Sequence, residues 1–225
     1  MVDLGCPIEG ASGAGSEVSP VVVDTFAELK EALRYKGDLH ILVENGTYIE
    51  CTDTVTPLDT KTLTVNGTLH GEKTIVHSWG YDKVLVLRGN GTIHSEKGYA
   101  IKHNNSSYAS MAETTIQGNL TFISDESDAV HAYASRLIIE GGTFRTNSEG
   151  KSSLYLLEEN GYAAVANLAG GSFPNGINID KRVALKEGYA YQYADGTLSY
   201  TLQKNVPVDV VNPNYDFGLG FYQCD

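Results

Sequence analysis

The stretch Leu137-Ile138-Ile139-Glu140-Gly141-Gly142-Thr143-Phe144 decides the fold. It joins a short apolar run to a glycine turn, and then to a hydroxyl residue followed by a large apolar one. The end of this pattern recurs in six copies along the chain: Gly46-Thr47-Tyr48, Gly67-Thr68-Leu69, Gly91-Thr92-Ile93, Leu120-Thr121-Phe122, Gly142-Thr143-Phe144 and Gly171-Ser172-Phe173. Their hydroxyl residues lie between 21 and 29 positions apart. A period of that size indicates one supersecondary unit that is copied and stacked.

Short β runs precede the copies, as in Thr62-Leu63-Thr64-Val65 and Val84-Leu85-Val86-Leu87. Apolar residues that alternate on either side of a turn predict one coil of a β-solenoid. We expect the Thr and Ser residues of the copies to point outward, where they suit a pleated surface. A β-sandwich is the competing interpretation, because hairpin-linked strands could carry the same runs. In the solenoid, an inward apolar column would be formed by Tyr48, Leu69, Ile93, Phe122, Phe144 and Phe173.

Both ends of the repeat carry signals of a cap. Thr25 and Glu28 have the spacing of a capping box, and they open a predicted amphipathic helix over residues 24–36 that would cover the first coil. Residues 1–20 are rich in Gly and Ser, and we expect a flexible arm that is ordered only where it docks. Behind the repeat, Asp195-Gly196 separates two alternating runs, which predicts a β-hairpin. Residues 183–225 are therefore interpreted as a hairpin cap and a tail.

Two stretches carry a resemblance to a known group of proteins. Phe26-Ala27-Glu28-Leu29-Lys30-Glu31-Ala32-Leu33, followed by Ile41-Leu42-Val43-Glu44-Asn45-Gly46-Thr47-Tyr48, resembles the first turn of right-handed parallel β-helix proteins. That group includes pectate-lyase-like folds and phage tail spikes. The stretch 137–144 is similar to the "Ile-x-Gly-Gly-Thr-Phe" coils in surface proteins of gut Gram-positive bacteria and in their phages. The resemblance implies a fold more than a function, because one fold hosts many activities.

The predicted fold is all-β. It is a single-domain right-handed parallel β-helix of about six coils over residues 21–182, with an N-terminal capping helix and a C-terminal hairpin cap.

Amino-acid composition and charge disfavour several classes of binding partner. A net charge of −12 and a pI near 4.8 disfavour nucleic acid, anionic lipid and acidic polysaccharide as general electrostatic partners. No stretch is apolar enough for a membrane helix, so we expect no membrane insertion. The start, 1–5, lacks the features of a secretory signal, which predicts either a protein not exported by that route or a signal outside this sequence. Cys6, Cys51 and Cys224 match no metal or disulfide spacing, and free buried thiols are expected.

Aligning the coils brings out the candidate site. His77, His103 and His131 occupy like positions in successive coils, and Tyr155 falls near the same place in the next coil. Two residues further on stand Trp79, Asn105 and Tyr133, which a strand would place on the same face. The pattern predicts a polar and aromatic stripe that could stack sugar rings and bind their hydroxyl groups. An ordinary exposed ladder and a subunit contact are the alternatives.

Catalytic and metal-binding patterns are weak. Three stacked histidines could bind Zn, Cu or Ni, but no Asp or Cys joins them at regular spacing, so we expect no metal and no cofactor. The aligned pair His70 and His94 is interpreted as a solvated face. The acidic run 125–128 is interpreted as a turn. No column of Asp with Arg beside it supports lyase chemistry, and no catalytic residue is predicted.

These observations predict a non-catalytic structural or binding β-solenoid. The leading hypothesis is a phage virion component, such as a decoration, fibre or tail-associated protein, that assembles with other virion proteins and as a homo-oligomer, with a trimer as one option. It could also bind a host glycan. The alternative is a glycan-binding adhesin module on a bacterial cell surface, and a polysaccharide lyase or hydrolase is the third option.

Overall fold

The protein is described by a computed structural model that covers residues 6–79, 83–104, 113–133, 135–159, 162–179, 183–185, 189–193 and 200–204. It is a parallel β-helix, as predicted, with three sheets running along the stack. Successive strands along the chain belong to different sheets, and each strand pairs with the equivalent strand of the next coil. Coils built in this way bury one face of every strand in a common core.

The first sheet has eight strands, and every neighbouring pair is parallel. In spatial order they are β1 (Val21–Val22), β2 (Leu39–Val43), β4 (Lys61–Val65), β7 (Val84–Arg88), β10 (Glu113–Ile116), β13 (Arg136–Ile139), β17 (Val165–Leu168) and β20 (Val183–Leu185). Their register aligns a buried aliphatic column made of Ile41, Leu63, Leu87, Ile116, Ile139 and Leu168.

The second sheet has six parallel strands and ends in an antiparallel pair. Its parallel strands are β3 (Tyr48–Glu50), β5 (Thr68–Gly71), β8 (Thr92–Ser95), β11 (Thr121–Ser124), β14 (Thr143–Thr146) and β18 (Ser172–Phe173). The antiparallel pair is β21 (Tyr189–Tyr193) with β22 (Tyr200–Lys204), and β22 adds to β18. The predicted hairpin cap is thus confirmed. Its Asp195-Gly196 turn and the tail 205–225 lie outside the described residues.

The third sheet is built from β6 (Val76–Trp79), β9 (Ile101–Asn104), β12 (Val130–Tyr133) and β15 (Leu154–Glu159), all parallel. β19 (Ile177–Ile179) continues it in parallel, and β16 (Tyr162–Ala163) folds back on β15. Each coil contributes one strand to each sheet, except that Val55 makes a single bridge to Val76 in the first coil. From β2 to β19 the described chain completes six coils, the number predicted.

The predicted inward column of the second sheet is confirmed in five of its six members: Leu69, Ile93, Phe122, Phe144 and Phe173, all fully buried. The three phenylalanine rings stack nearly parallel, with centroids 4.8 and 5.1 Å apart. The expectation for Tyr48 is wrong, because its side chain pairs in register with Thr68 and is 58% exposed. Ile49 fills the column instead.

A longer turn in the first coil causes this difference. Val43 pairs with Val65 and Tyr48 pairs with Thr68, so the turn is Glu44–Thr47 in the first coil and only Asn66-Gly67 in the second. The longer turn is closed by Thr47 N–H donating to the Glu44 carbonyl at 3.2 Å. Thr47 therefore belongs to the turn, and the strand begins one residue later than the repeated triplet indicates.

The N-terminal end of the stack is capped as predicted. Helix α1 (Phe26–Arg34) begins with the Thr25–Glu28 capping box, and it buries Leu29, Ala32 and Leu33 against the first coil. The part of the arm that the structure describes, from residue 6, docks on the same end: Ile8 is 1% exposed, and Gly15 accepts a hydrogen bond from His40 N–H at 2.9 Å. In the described ranges, no helix is long and apolar enough to cross a bilayer.

Cys51 is a buried free thiol, and burial raises its pKa to about 12. Cys6 is free and half-buried, whereas Cys224 lies outside the described residues.

Candidate functional site

The outward face of the third sheet carries two neighbouring columns of side chains, which together form the outer stripe. Strand pairing places equivalent residues of successive coils side by side, about 4.8 Å apart. Residues two apart on one strand share the same face. The first column contains His77, Lys102, His131, Tyr155 and Asn178, and the second contains Trp79, Asn104, Tyr133 and Leu157.

Five of the seven predicted site residues lie in this stripe: His77, Trp79, His131, Tyr133 and Tyr155. His103 does not. It pairs with Ser78 and Ala132, points inward and is fully buried. Lys102 takes the outward position between His77 and His131. Asn105 lies outside the described residues, and Asn104 holds the position predicted for it.

The error at His103 has a simple physical cause. Matching histidine to histidine implies steps of 26 and 28 residues, but the true partner of His77 is Lys102, one residue earlier. A slip of one residue moves a side chain to the opposite face of a strand. The apolar Ile101, buried in register with Val76 and Val130, was the available signal, because it identifies Lys102 as outward.

His131 is held firmly at the centre of the stripe. Its ring stacks between those of Tyr99 and Tyr155, with centroid distances of 4.4 and 5.2 Å. Its Nδ1 lies 3.6 Å from Asp128 Oδ2, within ion-pair range but too long for a hydrogen bond. The other carboxylate oxygen of Asp128 accepts a hydrogen bond from Ser152 N–H at 2.8 Å. Asp128 therefore acts as a buried anchor between adjacent coils, next to the imidazole.

A chain of side-chain hydrogen bonds links strands β6, β9 and β12, which belong to three successive coils. His77 Nε2 is hydrogen-bonded to Asn104 Oδ1, and Asn104 Nδ2 donates to the Tyr133 hydroxyl at 2.5 Å. The pKa of His77 is lowered, mainly by burial and also by the neighbouring Lys102 ammonium, against an opposing effect of the bond to Asn104. His77 is therefore neutral at pH 7, with its proton on the Nε2 that donates to Asn104.

Exposure differs along the stripe. Trp79 is 48% exposed and offers about half of its surface to solvent, whereas Asn104 is 8% exposed and lies beneath its neighbours. Lys102, Tyr133 and Tyr155 are half-buried. The arrangement places the exposed ring of Trp79 beside Asn104 and Tyr133, whose side chains are held in place by hydrogen bonds.

A second polar network lies on the second sheet, where His70 and His94 align as predicted. His70 Nδ1 is 3.0 Å from Glu50 Oε2 and its Nε2 is 3.5 Å from Glu96 Oε1. His94 Nε2 is 2.9 Å from Asp125 Oδ2, which places the acidic turn in this network. These side chains contact one another on the outward face of the second sheet. In the described part of the chain, no group of three or more His, Cys, Asp or Glu residues is arranged to hold a metal ion.

Sequence reasoning missed three members of the candidate site: Lys102, Asn104 and Tyr99. Tyr99 precedes strand β9, so the alternation within strands does not identify it.

No protein-family model, no curated protein and no solved structure matches this chain.

Proposed function

We propose that this protein is a non-catalytic β-solenoid that binds a glycan along the outer stripe. The exposed ring of Trp79, beside the hydrogen-bonded row of Asn104 and Tyr133, is the observation that carries the proposal. Sugar rings have apolar faces and hydroxyl edges, so they suit an aromatic surface flanked by donors and acceptors.

The rigidity of the stripe supports binding. Its residues lie on consecutive parallel strands, and the rings of Tyr99, His131 and Tyr155 are stacked on one another. A preorganised surface loses little side-chain entropy when a ligand binds. The repeat of about 4.8 Å between coils also favours an extended, chain-like ligand over a compact one.

Glycan-array screening followed by calorimetry on the best ligand tests the proposal. We expect Trp79→Ala to lower the affinity about tenfold or more, as is usual for an aromatic hot spot. Tyr48→Ala is the matched control, since it also removes an exposed ring but lies on the second sheet. Equal binding by wild type and Trp79→Ala, or no glycan bound at all, would contradict the proposal. Incubation with the bound glycan should release no reducing ends.

Residence in a phage virion is a second part of the proposal, and it is supported by the resemblance of the coils at 26–48 and 137–144 to phage and surface β-helices. The alternative location is a bacterial cell surface, where the same stripe would serve an adhesin module. Both locations place a rigid solenoid among other structural proteins, and both are compatible with the non-catalytic role.

A further inference from the structure

We infer that the outer stripe recognises a negatively charged group on the glycan, held by Lys102 and the Tyr133 hydroxyl. This inference rests on the proposed function and names the chemical class of its ligand: a sugar that bears an oxyanion, either a carboxylate or a sulfate. The reasons are the direction of the hydrogen bonds, the position of Lys102 and the distribution of carboxylates among the described residues around them.

The hydrogen-bond chain fixes Tyr133 as a donor. Neutral His77 donates through Nε2 to the Asn104 carbonyl oxygen, so the Asn104 amide nitrogen faces Tyr133 and donates to its hydroxyl oxygen. Because that oxygen already accepts a hydrogen bond, the phenolic proton is directed away from Asn104 and is available to a ligand acceptor. Asn104 is therefore a positioning residue for Tyr133.

Lys102 supplies the charge beside this donor. It belongs to the same coil as Asn104, two residues earlier, and it stands between His77 and His131 in the first column. Tyr133 lies in the next coil, two residues beyond His131, which is the register partner of Lys102. Diagonal neighbours of this kind are about 7–8 Å apart, within reach of long and aromatic side chains. An ammonium has donors only and no acceptor. An ammonium and a phenolic proton offered together match an oxyanion, which only accepts hydrogen bonds, and the positive charge of Lys102 favours it over a neutral sugar hydroxyl.

The described part of the outer stripe differs in charge from the chain as a whole, which has 28 acidic residues. Among the outward side chains that the structure describes on β6, β9, β12, β15 and β19, none is Asp or Glu. Asp128, at the edge, is engaged by Ser152 and His131, and its side chain is 10% exposed. The net charge of −12 acts weakly here, because salt screens exposed charges beyond about 8 Å.

Trp79 sets where the anion must lie. Its ring is in register with Asn104, one coil before Lys102 and two coils before Tyr133. A sugar stacked on Trp79 therefore places its own substituent, or that of the next sugar, over Lys102 and Tyr133. The negatively charged group is expected on that side of the chain.

The test compares matched oligosaccharides on one backbone: cellohexaose, its C6-carboxylated form and its C6-sulfated form, together with an array of other backbones in the same three states. We expect at least about tenfold tighter binding of a charged form than of the neutral form, a difference typical of hydrogen bonds to charged groups. The carboxylated and sulfated arms show which oxyanion is preferred. Affinity for the charged form should fall as salt is raised.

Variants separate the inference from the proposed function. Lys102→Met and Tyr133→Phe should each reduce binding of the charged form about tenfold and weaken binding of the neutral form less, whereas Trp79→Ala should weaken binding of both forms to the same extent. Asn104→Leu, which removes the amide without adding a charge, should act like Tyr133→Phe, and the two effects should not be additive. Lys36→Met, an exposed lysine beyond the helix cap, is the control for loss of charge.

Neutral and charged forms bound equally, with Trp79→Ala still weakening both, would overturn the inference and leave the proposed function standing. If no oligosaccharide binds, titration with free glucuronate and sulfate, followed by NMR shifts of the Lys102 and Tyr133 signals, still tests the oxyanion site. Absence of shifts there would overturn it.

Discussion

At the scale of single residues, Lys61 is the most unusual position in the core. It lies in the inward column between Leu39 and Leu85 and is fully buried. Its ammonium donates to the Gly37 carbonyl at 2.7 Å, just beyond helix α1, and Gly37 N–H donates to Asp59 at 2.7 Å. Lys61 thus ties the end of the capping helix to the second coil. Burial lowers its pKa, while Asp59 opposes this effect.

Two substitutions of Lys61 distinguish how much its side-chain volume and how much its charge contribute to stability. Lys61→Ala should lower the free energy of unfolding by about 2–5 kcal/mol, because it leaves a cavity as other large-to-alanine changes do. Lys61→Met keeps the volume, and its cost should stay under about 1.5 kcal/mol. Urea unfolding at pH 7 measures both, and an equal loss in the two variants would contradict the packing argument.

The lowered pKa of Lys61 also predicts whether the free energy of unfolding rises or falls with pH. The folded state releases the proton at a lower pH than the unfolded chain, whose lysine titrates near about 10.4. The wild type should therefore gain stability relative to Lys61→Met as pH rises from 8 towards that value. A constant difference between the two proteins over this range would contradict the shift.

At the scale of secondary-structure elements, helix α1 shows that a short sequence motif is sufficient to fix where a helix begins. Thr25 Oγ accepts from Glu28 N–H at 3.3 Å, and the Glu28 carboxylate accepts from the N–H groups of Asp24 and Thr25 at 3.0 and 3.2 Å. The bond from the Asp24 backbone is the main cause of the lowered pKa of Glu28. The buried face of the helix then closes the apolar end of the stack. Local capping and tertiary packing agree at this element.

Removing the cap has a predictable cost. Thr25→Ala should lower the free energy of unfolding by about 1 kcal/mol at pH 7. Glu28→Gln keeps an acceptor but removes the carboxylate charge, so at pH 7 it should cost less than Thr25→Ala and only the contribution of the charge. Because the folded pKa of Glu28 is lowered, its contribution is present above about pH 4.3 and is lost as pH falls through the folded value. Glu28→Gln should lose less stability than wild type between pH 5 and 3, as measured by urea unfolding. The same loss in both would contradict the assignment.

At the scale of the whole molecule, the solenoid exposes long faces and closes both ends. The helix cap and the β21–β22 hairpin occupy the two ends of the stack. The hairpin covers the end of the second sheet by adding to β18, and a covered end blocks further strand addition there. The lateral faces of the solenoid offer a second kind of surface for association. The outer stripe lies on one of these faces, and its two proposed uses are glycan binding and contact with another subunit.

Light scattering distinguishes these uses. If the protein is a fibre or spike component, we expect a trimer with a mass near three times the 24.3 kDa of one chain. Trp79→Ala should remain a trimer, because the proposal reserves the stripe for glycan. A stable wild-type monomer would argue against the fibre and spike hypotheses. Dissociation of the Trp79→Ala trimer would instead assign the stripe to a subunit contact.

The sequence by itself determined the coil period, the caps and five of the six residues predicted for the inward column of the second sheet. Each coil repeats the same local pattern of an apolar run, a turn and a Thr-apolar pair, and the capping box of Thr25 and Glu28 is complete within four residues. Such signals need no knowledge of distant partners. The phenylalanine column could also be predicted from the sequence, because large apolar residues at equivalent positions must be buried together.

Only the tertiary structure decided which residues share a face in the candidate site. Turns and loops differ in length from coil to coil, so counting residues cannot fix the pairing, and an error of one residue reverses the face. Strand pairing put Lys102 outside and His103 inside, and moved Tyr48 out of the core column. It also brought Asn104 between His77 and Tyr133, which lie 27 and 29 residues away along the chain.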